Sequence, residues 1–198
     1  MTADTPESWP VEHSEDIFRP GLPFALRVDS VRRPDSGDEG TFRRLVLEHP
    51  GAAVVLAVDD HDRVCVLTQY RHPAGMRFVE LPAGLCDHAG EDPLEVARRE
   101  LQEEVELAAT QWVHLASTYP SPGLLSEVHH FYLARGLTPA PRGDFHLAHE
   151  EADMTVSWVA FDDLVAAVLD GRCADGPMAI AVLIAQATGL LPTRNRGE

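Results

Sequence analysis

Lysine is missing from all 198 residues; the 16 basic side chains are all arginine. Against them stand 32 aspartates and glutamates, for a net charge of −16. Such a chain cannot draw nucleic acid or an anionic membrane surface to itself through a general positive field. A small anionic substrate is not excluded, because local arginines and bound cations can reverse the sign of the field. Cysteine is scarce: Cys65, Cys86 and Cys173 are odd in number and far apart. They make neither a disulfide framework nor a CxxC zinc pattern, which fits a reducing cytoplasm. No apolar run approaches the roughly 20 residues of a membrane helix. The acidic, polar start from Met1 to Asp16 lacks the basic end and apolar middle of a secretory signal. The ten histidines show no HExxH spacing. What is present, 44% hydrophobic and 24% charged residues, suits one globular domain with a small appendage.

The chain is organised around the stretch from Leu81 to Leu107. A glycine-bearing loop runs into a short amphipathic helix. Asp92 is placed to N-cap it, Pro93 falls at the first helical position, and Glu95 has the capping-box spacing. Leu94, Ala97, Leu101 and Val105 form one apolar stripe at three- and four-residue steps. Glu100, Glu103 and Glu104 gather on another arc beside Arg99. Like charges at these spacings weaken an isolated helix by roughly 0.2–0.5 kcal/mol per pair. A hard divalent cation with oxygen ligands would neutralise them. Taken alone, three glutamates also describe a solvated acidic face.

Gly84, Glu91, Arg99-Glu100-Leu101, Glu103-Glu104 and Leu107 together resemble the Nudix hydrolase signature, GX5EX7REUXEEXGU with U aliphatic. Two positions depart from it. Six residues separate Gly84 from Glu91 rather than five, and Glu106 replaces the final glycine. That glycine is a natural left-handed helix cap, where glutamate fits less well. The insertion lies in the loop and leaves Glu91 to Glu104 in register.

Alternating and apolar runs mark strands at 24–32, 41–48, 51–58, 63–70, 77–81, 111–118, 128–134 and 154–161, with helices at about 92–105, 162–171 and 177–188. This order argues for a mixed sheet covered by helices. The resemblance implies the same: an α/β protein with a Nudix-like α/β/α sandwich over residues 50–192. Ahead of it are expected a flexible tail over 1–20 and a β-hairpin over 21–49. The hairpin's apolar residues, such as Phe24, Leu26 and Val28, exceed what a two-stranded ribbon buries, and the family commonly dimerises through such segments. A homodimer is expected.

Further candidates lie outside the signature. Arg71, at a strand end, can reach a phosphate. Glu80 precedes Leu81-Pro82-Ala83-Gly84 and is a candidate for contact with metal-bound water or substrate. Pro122-Gly123 reads as a turn. In Nudix proteins that hydrolyse ADP-ribose, however, a proline stands about as far past the signature as Pro122, 15 residues beyond Leu107. Glu127 occupies the place of an acid near the substrate. Glu150-Glu151-Ala-Asp-Met-Thr155 resembles the loop of actinobacterial-type ADP-ribose pyrophosphatases that brings another glutamate to the metals. Either Glu150 or Glu151 could be that residue, with Glu151 favoured. The stretch from Pro139 to Gly143 reads as a flexible connection to this loop.

The resemblance thus implies cleavage of ADP-ribose to AMP and ribose 5-phosphate. Two or more Mg²⁺ or Mn²⁺ ions would be held by Glu100, Glu104, the Ala83 carbonyl and Glu151, with Glu103 close by. Glu151 or Glu150 would act as base and Arg99 would hold the glutamates. The alternatives are another nucleoside diphosphate derivative as substrate, a catalytically inactive nucleotide-binding module, or a calcium-binding protein. The absence of an Asp-rich EF-hand loop speaks against the last.

Overall fold

The computed structural model describes residues 2–21, 23–34, 40–147 and 152–191. They form two compact units: Met1–Pro50 with Tyr119–Glu127, and Gly51–Thr118 with Val128–Glu198.

The smaller unit is an antiparallel sheet of β1 (Val11–Phe18), β2 (Ala25–Val31) and β3 (Phe42–Glu48), in that order. β2 and β3 make the expected hairpin; its turn at 35–39 lies outside the described residues. β1 corrects the expectation of a loose tail over 1–20. All eight of its residues are exposed, so no buried alternation betrays it in the sequence. Polar contacts support its backbone pairing instead. Ser14 Oγ donates to Asp29 at 2.6 Å, and Arg19 Nε to Asp16 at 2.6 Å. Asp29 is buried, and its hydrogen bonds from Arg27 and Ser14 hold its carboxyl below the usual range.

The larger unit contains β4 (Ala52–Ala57), β5 (Arg63–Arg71), β6 (Met76–Glu80), β7 (Ala83–Leu85), α1 (Pro93–Val105), β8 (Leu107–Thr118), β9 (His129–Pro139), β10 (Thr155–Ala160), α2 (Phe161–Leu169) and α3 (Gly176–Ala187). One sheet runs β7-β4-β9-β8 and another β10-β5-β6. Parallel pairing of β4 with β9 among antiparallel neighbours makes the first sheet mixed. β4 is apolar throughout because both its faces are covered. Val54, Leu56 and Val58 pack with Phe161, Leu164, Met178 and Val182 of α2 and α3. Ala53, Val55 and Ala57 pack with Val96, Ala97 and Leu101 of α1. This alternation generates the α/β/α sandwich.

α1 begins as its sequence dictates. Asp92 Oδ1 accepts from the Leu94 amide at 2.8 Å, with proline next in line. The Glu95 side chain does not close a capping box; it pairs with Arg98 at 2.5 Å. The helix ends at Glu106, in the left-handed region at φ 57° and ψ 39°. A side chain there costs about 1–2 kcal/mol. Its contact with Arg142, at 3.7 Å and exposed, returns little. Glu106→Gly is therefore expected to stabilise the fold by about 0.5–1 kcal/mol, after glycine's own entropy loss. Urea titration reads this directly, and a lowered midpoint would show that the Arg142 contact outweighs the strain.

Candidate active site

Of the α1 carboxylates, Glu104 sits on the buried face with Val96, Ala97 and Leu101. Glu104 is only 4% exposed, and its Oε2 accepts from the Ala83 amide at 2.9 Å. That bond ties the helix to β7 and sets Ala83 beside Glu104. Glu100 leans the same way. A Cβ added to Gly84 would stand 1.9 Å from Glu100 Cδ, so only glycine leaves room for the carboxylate. The loop's extra residue is taken up before Glu91, where Gly90 is left-handed and the Glu91 amide donates to the His88 carbonyl at 3.1 Å.

Arg99 gathers the remaining acids. Its Nη1 lies 2.6 Å from Glu100 Oε1 and 3.3 Å from Glu103 Oε2, and its Nη2 lies 3.3 Å from Glu91 Oε2. Burial disfavours the guanidinium charge, but the Glu91 hydrogen bond and the charges of Glu100, Glu91 and Glu103 outweigh it. They hold Arg99 above its ordinary range.

Glu80 is 6% exposed and fully engaged. It accepts from Arg71 Nε at 2.9 Å, Arg71 Nη2 at 2.7 Å and Gln69 Nε2 at 2.9 Å. A carboxylate so occupied is a poor candidate for a proton acceptor. The hydrogen bond that Arg71 donates to Glu80 raises the guanidinium above its ordinary range, burial opposes it, and the charges of Glu80, Glu104 and Asp175 add to the rise. Arg71 thus lies within the field of the acidic helix. Asp175, which nothing in the sequence singled out, N-caps α3 through the Met178 amide at 2.8 Å. Burial pushes its carboxyl up to about 6. Its only sequence signal is an aspartate ahead of Gly176-Pro177, a cap pattern shared with any helix start.

Pro139 to Gly143, expected as a flexible connection, is tied to the end of α1. The Ala140 amide donates to the Glu106 carbonyl at 2.8 Å, Gln102 Nε2 to the Pro141 carbonyl at 2.8 Å, and Arg142 Nη2 to the Glu104 carbonyl at 3.2 Å. Helix C-termini favour such donors, since their last carbonyls have no partner within the helix. Pro122, Gly123 and Glu127 belong to the smaller unit. There the Leu124 and Leu125 amides close a turn on the Ser121 carbonyl, and Glu127 lies 3.4 Å from His49 Nδ1. Glu150 and Glu151 lie outside the described residues.

Among the described residues, no three carboxylate, imidazole or thiol side chains close on one point to form a complete cage. Carboxylate and carbonyl oxygens suit a hard divalent ion that keeps several waters and takes only one or two carboxylates from the protein. The close approach of the Glu100 carboxylate to Gly84, with Glu104 bonded to the Ala83 amide, gathers two carboxylates at this backbone and fits that requirement.

Residues 47–178 match the NUDIX domain profile. An ADP-ribose pyrophosphatase from Mycobacterium tuberculosis is 42% identical over 172 residues, covering 87% of this chain and 80% of the relative. One from Bacillus subtilis is 36% identical over 124 residues, covering 63% and 64%. A GDP-mannose pyrophosphatase of Yersinia enterocolitica is 30% identical over 148 residues, covering 71% and 75%. The crystal structure of an ADP compounds hydrolase aligns with a TM-score of 0.67 at 18% identity, over 96% of this chain and 100% of that one. That likeness speaks for the fold.

Proposed function

Because the chain belongs to the Nudix family, we propose that it is a metal-dependent pyrophosphohydrolase cleaving ADP-ribose to AMP and ribose 5-phosphate. The observation that carries this reading is the 42% identity to an ADP-ribose pyrophosphatase over 87% of the chain. The carboxylates of Glu100, Glu103 and Glu104 are all present on α1.

Divalent ions, when bound, neutralise the diphosphate and acidify the attacking water. Glu100, Glu104 and the Ala83 carbonyl would hold them, with Glu103 close by. Mg²⁺ or Mn²⁺, in two or more ions per site, suits an all-oxygen donor set. Arg99 keeps Glu91, Glu100 and Glu103 in one arc. Arg71, held by Glu80 through Nε and Nη2, would donate from its guanidinium to a phosphate oxygen. Glu151, or Glu150, would orient the attacking water and take its proton. Pro122, Gly123 and Glu127, in the smaller unit, are proposed as substrate-binding residues. A nucleotide sugar is the second reading, supported by the GDP-mannose relative, since it keeps the diphosphate and changes the group beyond it. Turnover of ADP-ribose, GDP-mannose and an oxidised nucleotide, with and without Mg²⁺, tests both. ADP-ribose is expected to be the best substrate and chelator to stop the reaction. No turnover of any of the three with Mg²⁺ would instead favour a nucleotide-binding module.

The smaller unit is the proposed dimerisation segment. Val11, Ile17, Phe18 and Leu45 are among its exposed large apolar side chains, and β1 is an edge strand whose outer backbone groups can pair. Light scattering at micromolar concentration should return twice the 21.7 kDa chain mass. A monomer would remove the proposal. No helix among the described residues is long and apolar enough to cross a membrane. The proposed setting is the cytoplasm, with a small nucleotide as substrate and no nucleic-acid partner.

A further inference from the structure

We infer that Gln69 and Glu80 are positioning residues that aim the Arg71 guanidinium at the substrate diphosphate. The inference rests on the pyrophosphohydrolase reading above. Three observations support it.

The first is register. β5 and β6 pair with Leu67 opposite Glu80, Gln69 opposite Phe78 and Arg71 opposite Met76. Side chains alternate along a strand, so Gln69, Arg71 and Glu80 share one face. On that face the long Arg71 side chain runs back along the ladder to reach Glu80.

The second is the form of the grip. Glu80 Oε1 accepts from Arg71 Nε at 2.9 Å and Oε2 from Nη2 at 2.7 Å, a two-pronged hold. Gln69 Nε2 fixes Oε2 from the other side at 2.9 Å. The hold uses the Nε and Nη2 edge of the guanidinium and leaves Nη1 for a ligand. The Arg71 side chain is 49% exposed, while that of Glu80 is 7% exposed. One end of the pair is therefore anchored and the other faces outward. Arg71 also feels the charge of Glu104, which places its reach near the acidic helix.

The third is an unsatisfied atom. Gln69 is 3% exposed, yet its Oε1 has no hydrogen-bond partner among the described residues. Reversing the amide would set Oε1 against the Glu80 carboxylate, so the orientation is fixed. A buried acceptor without a donor lowers stability. For folding alone, a methionine would fill this place as well. The amide makes sense as the donor that keeps Glu80 from swinging away from Arg71.

The test compares Gln69→Met in the wild-type and Arg71→Lys backgrounds. Lysine keeps the charge but has no fork to aim. In the wild-type background, Gln69→Met should raise KM about tenfold, the worth of a hydrogen bond to a charged group, while kcat stays within about twofold. Its Tm should stay about level, because removal of the unsatisfied Oε1 offsets the lost hydrogen bond to Glu80. In Arg71→Lys the same substitution should move KM less than about twofold. An equal KM penalty in both backgrounds, or a fall in Tm with no change in KM, overturns the inference. Kinetics are read on whichever substrate of the panel the wild type turns over best, so a wrong choice of substrate stays distinguishable from a wrong role for Gln69. The Kd of ADP, by calorimetry, supplies the same comparison without turnover and should follow KM.

Discussion

Glu104→Gln is expected to cut kcat by about 10³-fold at saturating Mg²⁺, the equivalent of several kcal/mol of metal-borne charge stabilisation. The amide keeps the shape and can still accept from the Ala83 amide, which the carboxylate meets at 2.9 Å. What it removes is the negative charge that a hard cation requires. Stability should move the other way in the metal-free protein. Glu104 is 4% exposed and lies one helical turn from Glu100, so its charge is both desolvated and repelled. Without that charge, the chelator-treated variant should melt at or slightly above wild type. Wild type should gain Tm on adding Mg²⁺, as any ligand of the native state requires, and the variant should gain much less. Near-normal turnover by Glu104→Gln would sink the metal assignment, whatever the melting curves show.

Glu151→Gln should be the other severe lesion, lowering kcat by roughly 10²–10⁴-fold with a smaller change in KM. A carboxylate bound to a cation is a weak proton acceptor, and Glu80 is occupied by Arg71 and Gln69. The base must therefore come from another segment. The chain leading towards Glu151 is fixed at its root, where Ala140, Pro141 and Arg142 bond to the last turn of α1. Glu150→Gln should be the milder variant. If Glu150→Gln is the crippled one, the register of this loop is shifted by one. If both retain activity within a few-fold, Glu103 or Glu127 becomes the better candidate.

The Nudix fold and the acidic helix were legible because their signals are local and repeated. β4 reads as buried on both faces, and α1 carries a cap, a stripe and an acidic arc within 13 residues. β1 was not legible, since a strand that buries none of its eight residues leaves no periodic trace. The three-residue strand β7 was too short to alternate and read as loop. Glu80 was visible as a charge at a strand end, but its partner Gln69 lies 11 positions away and shows itself only through the β5–β6 register. Asp175 comes near Arg71 and Glu80 only through packing of the final helix. The stapling of Pro139 to Gly143 is likewise tertiary: glycine and proline announce a bend, but not what the bend is fastened to.

The acidic arc and the Arg71 grip stand on different supports. α1 is anchored by Val96, Ala97 and Leu101 against β4. Arg71 is anchored by Glu80 and Gln69 on the β5–β6 hairpin. Substitutions that retune one support need not unseat the other. A lineage built on this scaffold could therefore retune its grip on the diphosphate through the hairpin while its hydrolytic chemistry persisted. In a laboratory selection for altered substrate range, beneficial changes should accumulate around β5 and β6 before they touch α1.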